Sequence, residues 1–358
     1  MSNNKLKEIP TDIGTLIRLR NLDLRSNKDI KELPETMCNL CDLQNLNLVE
    51  CERFSKLPKG IERLVSLRHL RYSDSSILYQ IPQGLEKLTG LQTLRVFYAG
   101  RGCSKLGYLK ELDQLSGYLR LMISLDDRED VDEARKAKLM NKKHIEELEI
   151  VFTDALMGRT EEDELLRNEA LEALQPPPNL RHLMISCYEG TKFPGWINSS
   201  FNHLRSLQIS GNNYISTLPC LGKLPNLQYP LRVGNGKAEA SGQGVPGNSS
   251  WECGWFNAYT VHGGQLPEAG DTDLHEMFAV EEWEDIEDGS TTMSIMPCLR
   301  ILKITRCGLT ELPHRLLRKA SLLQYLTIYR SFNLLERYGV TGSGHESLSH
   351  IPHVSLLY

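Results

Sequence analysis

The chain carries apolar residues at regularly spaced positions. Leu19, Leu43, Leu67 and Leu91 stand 24 residues apart. Each is followed three and five residues later by a further apolar residue, and a polar residue separates these last two. In a strand, successive side chains point to opposite faces, so this alternation places the apolar residues on one face and the polar residue on the other. The spacing therefore predicts one short, half-buried strand in every 24 residues.

A second marker runs in phase with the first. An apolar residue followed by proline recurs with the same period of 24, at Ile9-Pro10, Leu33-Pro34, Leu57-Pro58 and Ile81-Pro82. Further copies of the leucine pattern begin later in the chain, at Ile145, Leu180, Leu204, Leu299 and Leu323. Two markers that share one period indicate a repeat protein whose units stack to bury a common core.

Short strands that alternate with return segments predict an α/β solenoid of leucine-rich repeats. We expect a curved horseshoe with a parallel concave β-sheet and an irregular or helical convex side. The pattern divides the chain into four parts. Residues 1–98 form regular repeats, 99–230 irregular repeats with convex helices, 231–290 an acidic, glycine-rich insertion, and 291–358 C-terminal repeats and a tail.

Two segments of the irregular part have the composition of helices. Residues 130–143 are rich in helix-forming residues, with Asp130 as the expected N-cap and Glu133 at the third helical position. Residues 161–175 predict a second helix, which the proline run beginning at Pro176 should end. Both helices should lie on the convex side.

The repeat pattern fades after Leu227. In the copy that begins there, Pro230 occupies a position that other copies give to leucine. Residues 231–290 contain two basic and twelve acidic residues. We expect 231–273 to be a disordered or poorly packed loop, because few apolar residues are available to bury.

Composition narrows the function classes. The net charge of −5 gives no general argument for nucleic acid as a partner. No apolar run approaches the roughly 18 residues of a membrane span, and the N-terminal sequence has no apolar segment of a signal peptide. Nine cysteines without a dense framework suggest reduced thiols and a cytoplasmic location.

The motif search favours a non-enzymatic chain without cofactors or metals. The phosphate-binding pattern of a P-loop is absent, as are the serine-hydrolase elbow and the paired histidines of a zinc site. Asn27 should bond the backbone of its own turn, and Cys51 and Cys307 occupy the corresponding position in their repeats. We interpret both thiols as structural.

Recognition residues are expected on the outward positions of the strands, where side chains are free of packing. The residue between the strand leucines is Asp23, Asn47, Arg71 and Arg95 in successive repeats. Stacked strands lie about 4.8 Å apart, so Arg71 and Arg95 should be neighbours in a basic patch with Arg25 beside it. The candidate recognition residues are Asp23, Arg25, Asn47, Arg71, Arg95, Phe97, Glu149, Lys303, Tyr325 and Tyr329.

Several stretches outside the leucine pattern also carry a likeness to a known family. They are 84–97, 130–148, 168–180, 193–196, 221–225, 281–284, 312–318 and 349–353. With them the chain resembles the leucine-rich-repeat domain of plant intracellular disease-resistance proteins of the coiled-coil, nucleotide-binding class. The resemblance implies two roles, which are restraint of a nucleotide-binding domain and sensing of a pathogen effector or a guarded host protein.

The family's other domains have no counterpart in this sequence. Because Met1 falls inside a repeat, the resemblance suggests a truncated form that lacks the nucleotide-binding domain. Two other functions stay open on the sequence alone: a stand-alone intracellular scaffold or adaptor in signalling, and an extracellular inhibitor or receptor ectodomain. The absence of a signal peptide argues against the extracellular one.

Overall fold

A computed structural model describes most of the chain. The described residues are 4–72, 82, 84–100, 103–153, 160–198, 201–210, 214–219, 224, 232–234, 271–275, 281–285 and 299–358. They fall into two compact units, residues 1–204 and residues 205–358. Each unit is an array of parallel strands joined by return segments, which confirms the predicted α/β solenoid of leucine-rich repeats.

The first four strands repeat with the period predicted from the leucines. They are β1 (Asn21–Asp23), β2 (Asn45–Leu48), β3 (His69–Tyr72) and β4 (Thr93–Leu94). Leu22 pairs with Leu46, Leu46 with Leu70, and Leu70 with Leu94, so each parallel step is 24 residues. The return segments contain short 3-10 helices, at Thr11–Thr15, Glu35–Asn39, Ile61–Arg63 and Leu85–Lys87.

The next strands are longer and follow a different frame. They are β5 (Val96–Ala99), β6 (Ser116–Ile123), β7 (His144–Phe152) and β8 (His182–Ser186). Phe97 pairs with Leu121, whereas the regular frame would have given this position to Val96. The pairing of β4 with β3 ends at Leu94. One extra residue lies between β4 and β5, so the side chains that point into the core in β5 are one position later than the 24-residue period predicts.

This frame change overturns the outward placement of Phe97. The side chain of Phe97 is fully buried, as is that of Val96. The pairing with Leu121 carries Phe97 into the core column, where a large ring replaces a leucine. Phe97 is therefore a packing residue and cannot be a surface contact in this fold.

Two α-helices lie in the return segments of the longer repeats. Helix α2 (Glu161–Ala173) confirms the predicted helix, and Thr160 and Asp163 form a capping box at its start. Helix α1 (Arg128–Lys136) begins before the predicted Asp130. Its N-cap is Asp127, whose carboxylate accepts hydrogen bonds from the backbone N–H groups of Glu129 and Asp130. Further 3-10 helices lie at Leu106–Glu111, Leu139–Asn141 and Gly195–Asn198.

Removing the cap of α1 should destabilise the fold measurably. We expect Asp127→Ala to lower the free energy of unfolding by about 1 kcal/mol, because two helical N–H groups lose their acceptor. Urea denaturation measures the change. Asp12→Ala in an exposed 3-10 turn is the control and should stay within about 0.5 kcal/mol of the natural chain. Equal stability of the two variants would contradict the assigned cap.

The described residues of the second unit form five parallel strand pairings among themselves. Its strands are β9 (Ser206–Ser210), β10 (Thr217–Leu218), β11 (Arg232–Gly234), β12 (Asp271–His275), β13 (Glu282–Trp283), β14 (Ile301–Thr305), β15 (Tyr325–Tyr329) and β16 (His353–Leu357). Strand β11 pairs with β9 and β13 with β10, while β12, β14, β15 and β16 form one sheet in that order. Its helices are α3 (His314–Lys319), α4 (Phe332–Tyr338) and a 3-10 turn at His345–Leu348.

Strand β11 continues the repeat beyond its expected end. Val233 pairs with Ile209, again 24 residues away. The predicted place of Pro230 at a leucine position lies outside the described residues. Strand β11 and residues 271–273 of β12 lie within the stretch expected to be a disordered loop, and these residues are paired in strands instead. The rest of 231–273 lies outside the described residues.

Candidate protein-recognition surface

Strands β1 to β3 present two parallel columns of polar side chains. Asn21, Asn45 and His69 share one column, since their backbones are paired in register. Asp23, Asn47 and Arg71 share the second in the same way. All six line one shallow, open depression, together with Arg25 and parts of Leu22 and Leu46. We call these six residues the β1–β3 polar face.

Hydrogen bonds hold several of these side chains in place. The Nδ2 group of Asn45 donates to Oδ1 of Asn21. The Oδ1 atom of Asn47 accepts from the backbone N–H of Val49 at 3.2 Å. His69 Nδ1 lies 3.0 Å from Thr93 Oγ1. The face is therefore ordered before any partner binds, which lowers the entropy lost on binding.

The charge of the face comes from one arginine. The guanidinium of Arg25 contacts Oδ2 of Asp23 through Nε at 2.9 Å and through a terminal nitrogen at 2.8 Å. Partial burial raises the pKa of Asp23, but the bonds and charge of Arg25 outweigh it and leave that pKa lowered. Arg71 is exposed and has no ion-pair partner in the part of the chain that the structure describes. The Asp23–Arg25 pair is neutral overall, so Arg71 leaves the face positively charged.

His69 is a neutral member of this face near pH 7. Burial lowers its pKa, and the nearby charges of Arg71 and Arg68 lower it further. It can accept or donate hydrogen bonds without adding charge.

The structure gives Arg95 a different environment from the one that stacking predicts. Arg95 follows the last paired residue of β4, and its guanidinium lies 5.6 Å from the ring centroid of Tyr118 on β6. The strand pairing that would have aligned Arg95 with Arg71 ends at Leu94. Strand pairing therefore does not place Arg71 and Arg95 side by side as predicted. Arg25, the third residue of the predicted basic patch, is bound to Asp23.

Glu149 belongs to a half-buried cluster of polar side chains. Its carboxylate accepts from the hydroxyl of Tyr118 at 2.5 Å and from Nε of Arg120 at 2.7 Å. The Glu149 side chain is only 12% exposed. The leucine spacing does not mark Tyr118 and Arg120, because a register shift between Gly117 and Tyr118 changes that spacing in β6. The surviving signal was Leu119 and Leu121 in alternation.

Three candidates lie in the second unit. Lys303 is exposed on β14, and its backbone pairs with Thr327. Tyr325 is 44% exposed and stacks on His353, with ring centroids 4.7 Å apart. The guanidinium of Arg330 lies 5.1 Å from the ring centroid of Tyr329.

The described residues contain no cluster of three or more His, Cys, Asp or Glu side chains arranged to hold a metal ion. Among them, no helix has the length and apolar content required to cross a membrane.

Asn27 is fully buried, and its Nδ2 donates to the carbonyl of Leu24 in its own turn at 2.7 Å, as predicted. Its Oδ1 also accepts from the backbone N–H groups of Asn4 and Leu6, both at 3.1 Å. Cys51, 24 residues later, donates from Sγ to the carbonyl of Leu24 at 3.2 Å. In the second unit, Ser331 accepts from the backbone N–H of Cys307 at 3.0 Å.

Burial should make the interior cysteines unreactive. It raises the pKa of the thiols of Cys38 and Cys307 to about 11, and that of Cys51 in the same direction. Because the thiolate is the nucleophile, we expect iodoacetamide at pH 8 to modify exposed Cys41 and to spare these three. Peptide mapping by mass spectrometry measures the order of modification. All four should react once urea unfolds the chain, and equal rates in the native state would contradict this assignment.

Comparison with known proteins places the chain in a family. The model of the leucine-rich repeat region matches residues 2–254. The disease resistance RPP13-like protein 1 of Arabidopsis thaliana is 31% identical over 137 residues, which cover 37% of this chain and 13% of that protein. The disease resistance protein RGA4 of Solanum bulbocastanum is 37% identical over 138 residues, which cover 38% of this chain and 14% of that protein.

A third relative gives a longer match. The disease resistance protein At3g14460 of Arabidopsis thaliana is 32% identical over 216 residues, or 56% of this chain and 13% of that protein. The matched regions thus span only about one seventh of the length of these curated relatives.

Among solved structures, a similar chain is the leucine-rich-repeat ectodomain of the plant receptor kinase GASSHO1/SCHENGEN3 from Arabidopsis thaliana, in complex with CASPARIAN STRIP INTEGRITY FACTOR 2. It has a TM-score of 0.38 and 13% identity, and the match covers 98% of this chain and 42% of that one. Several curated relatives are plant proteins named for disease resistance. With its 24-residue parallel repeats and a family match over most of its length, the chain belongs to the leucine-rich repeat family.

Proposed function

We propose that this chain is the protein-recognition region of a plant intracellular immune receptor and that it binds its partner through the β1–β3 polar face. The observation that carries the proposal is the exposed charge of Arg71, which has no ion-pair partner among the described residues, in an ordered polar array. A partner that covers the six side chains of the β1–β3 polar face could bind their polar groups, which do not take part in the packing of the core. The similarity to plant disease resistance proteins supports the biological setting.

In this proposal the chain acts by binding, without catalysis or a cofactor, inside the cell. Its partner is a protein. In a receptor of this class, contacts with the nucleotide-binding domain would hold that domain inactive, and an effector or guarded host protein would change those contacts. The positive face favours an acidic surface on whichever partner it meets.

Charge reversal on the face tests the proposal. We expect Arg71→Glu to weaken binding of the full chain to the nucleotide-binding domain of a resistance protein from the same plant by at least about tenfold, because a charge-assisted contact becomes a repulsion. Biolayer interferometry at two ionic strengths measures the affinities. The loss should be larger at low salt, where surface charges are screened less.

Lys59→Glu is the matched control. Lys59 is exposed on a return segment, and its reversal changes the net charge by the same amount. It should leave the affinity within about twofold of the natural chain, since it lies off the proposed contact. Equal affinities of the Arg71 and Lys59 variants would refute the β1–β3 polar face as the binding surface.

A further inference from the structure

Several hydrogen-bonding groups of the β1–β3 polar face have no partner among the residues that the structure describes. Asn47 uses Oδ1 to accept from Val49, and its Nδ2 group has no partner among the described residues. Asn45 uses Nδ2 to donate to Asn21, which leaves Oδ1 of Asn45 and Nδ2 of Asn21 without partners in the same set. Two free donors and one free acceptor therefore lie on adjacent strands of one depression.

These carboxamides match the chemistry of a peptide main chain. An amide side chain carries the same donor and acceptor as a peptide bond and no charge, so it can pair with N–H and C=O groups of any sequence. Three strands about 4.8 Å apart span roughly 10 Å, and an extended chain rises about 3.3 Å per residue. An extended segment of three or four residues thus crosses β1, β2 and β3.

The charges select the side chains of that segment. Arg25 already neutralises Asp23, while Arg71 keeps five donors for a carboxylate. A basic segment would place its positive charges near that of Arg71, and no free negative charge on the face would offset the repulsion. An acidic one would gain a charge-assisted bond.

We propose that the β1–β3 polar face binds an extended acidic peptide segment, with its main-chain amides on the asparagine carboxamides and a carboxylate on Arg71. This inference rests on the proposed function and specifies its partner: an unpaired, acidic stretch of a protein chain.

The test uses the full chain and three synthetic peptides of about nine residues with blocked ends. The first alternates Glu and Ala, the second replaces each Glu with Gln, and the third is the acidic peptide with every second main-chain amide N-methylated. Fluorescence anisotropy at low ionic strength gives the dissociation constants. We expect the acidic peptide to bind at least about tenfold more tightly than either of the others.

Two substitutions separate the charge contact from the main-chain contacts. Arg71→Gln should remove the preference for Glu over Gln, whereas Lys59→Gln should retain it. Asn47→Ala should weaken the acidic and the Gln peptides by the same factor, because it removes a bond to the main chain. All three positions are outside the core, and urea denaturation verifies that each variant is folded.

Several outcomes would overturn the inference. They are no binding of the acidic peptide up to about 1 mM, equal affinities for the Glu and Gln peptides, no effect of N-methylation, or a preference for Glu that survives Arg71→Gln. If these occur while Arg71→Glu still disrupts binding to the nucleotide-binding domain, the extended-peptide mode fails and the recognition surface stands. Loss of both results would refute the proposed function as well.

Discussion

Leu46→Ala should lower the free energy of unfolding by about 3 kcal/mol. Leu46 is fully buried, and its backbone pairs with Leu22 in the repeat before and Leu70 in the repeat after. Removing the side chain takes apolar area out of the core and leaves a cavity that neighbouring repeats fill only in part. Because each repeat is stabilised by contacts with its neighbours, the loss should extend to β1 and β3.

Urea denaturation monitored by circular dichroism measures this change. Val65→Ala is the control, since Val65 is apolar but 69% exposed on a return segment. We expect its effect to stay within about 0.5 kcal/mol. A Leu46 variant as stable as the Val65 variant would contradict the continuous leucine core of the first unit.

The second large effect concerns the buried asparagine. We expect Asn27→Ala to cost about 2 kcal/mol of unfolding free energy, because the part-buried backbone N–H groups of Asn4 and Leu6 lose their acceptor. The substitution also removes the 2.7 Å bond from Asn27 Nδ2 to the carbonyl of Leu24. An unsatisfied buried polar group costs more than the net gain of an ordinary hydrogen bond.

Asn21→Ala provides the comparison within the same repeat. Asn21 is an exposed residue of the β1–β3 polar face, so its loss should change stability by no more than about 0.5 kcal/mol. Amide hydrogen exchange gives a second readout, in which residues 4–6 should exchange faster in the Asn27 variant only. Unchanged exchange there would show that Asn27 does not hold this turn.

The period of the leucines was sufficient to predict the architecture. Core positions at Leu22, Leu46 and Leu70 follow from strand alternation, and the register confirms each of them. The buried role of Asn27 also follows from the sequence, since a polar residue at a fixed inward position must satisfy a backbone group.

The 24-residue period could not predict where the alternation of inward and outward positions shifts by one residue. One additional residue after Leu94 moves Phe97 into the core. The leucine pattern shows no interruption at that position, so it does not reveal the shift. The Arg71–Arg95 column was predicted on the assumption that the frame continued. A spacing argument holds only as far as the strand pairing on which it depends.

The spacing of residues also could not predict which charged side chains form ion pairs with each other. The sequence marked Arg25 as part of a basic patch, but its nearest partner, Asp23, lies on the same strand end two residues away. Lys142 falls in the segment 130–143 predicted as a helix, but the helix ends at Lys136. The Lys142 side chain is fully buried and its Nζ donates to Asp113 Oδ1 at 2.7 Å. Such pairings depend on side-chain positions in three dimensions, which residue types and spacing do not specify.

The most direct test of the central claim is the hydrogen-exchange footprint of the chain bound to the nucleotide-binding domain of a resistance protein. Each amide is compared in the free and bound chain, which separates the sheet surface from the return segments. We predict slowed exchange across His69–Tyr72 and the neighbouring strands β1 and β2, with no change in helices α1 and α2. Protection confined to α1 and α2, with β1 to β3 unaffected, would contradict recognition through the polar face.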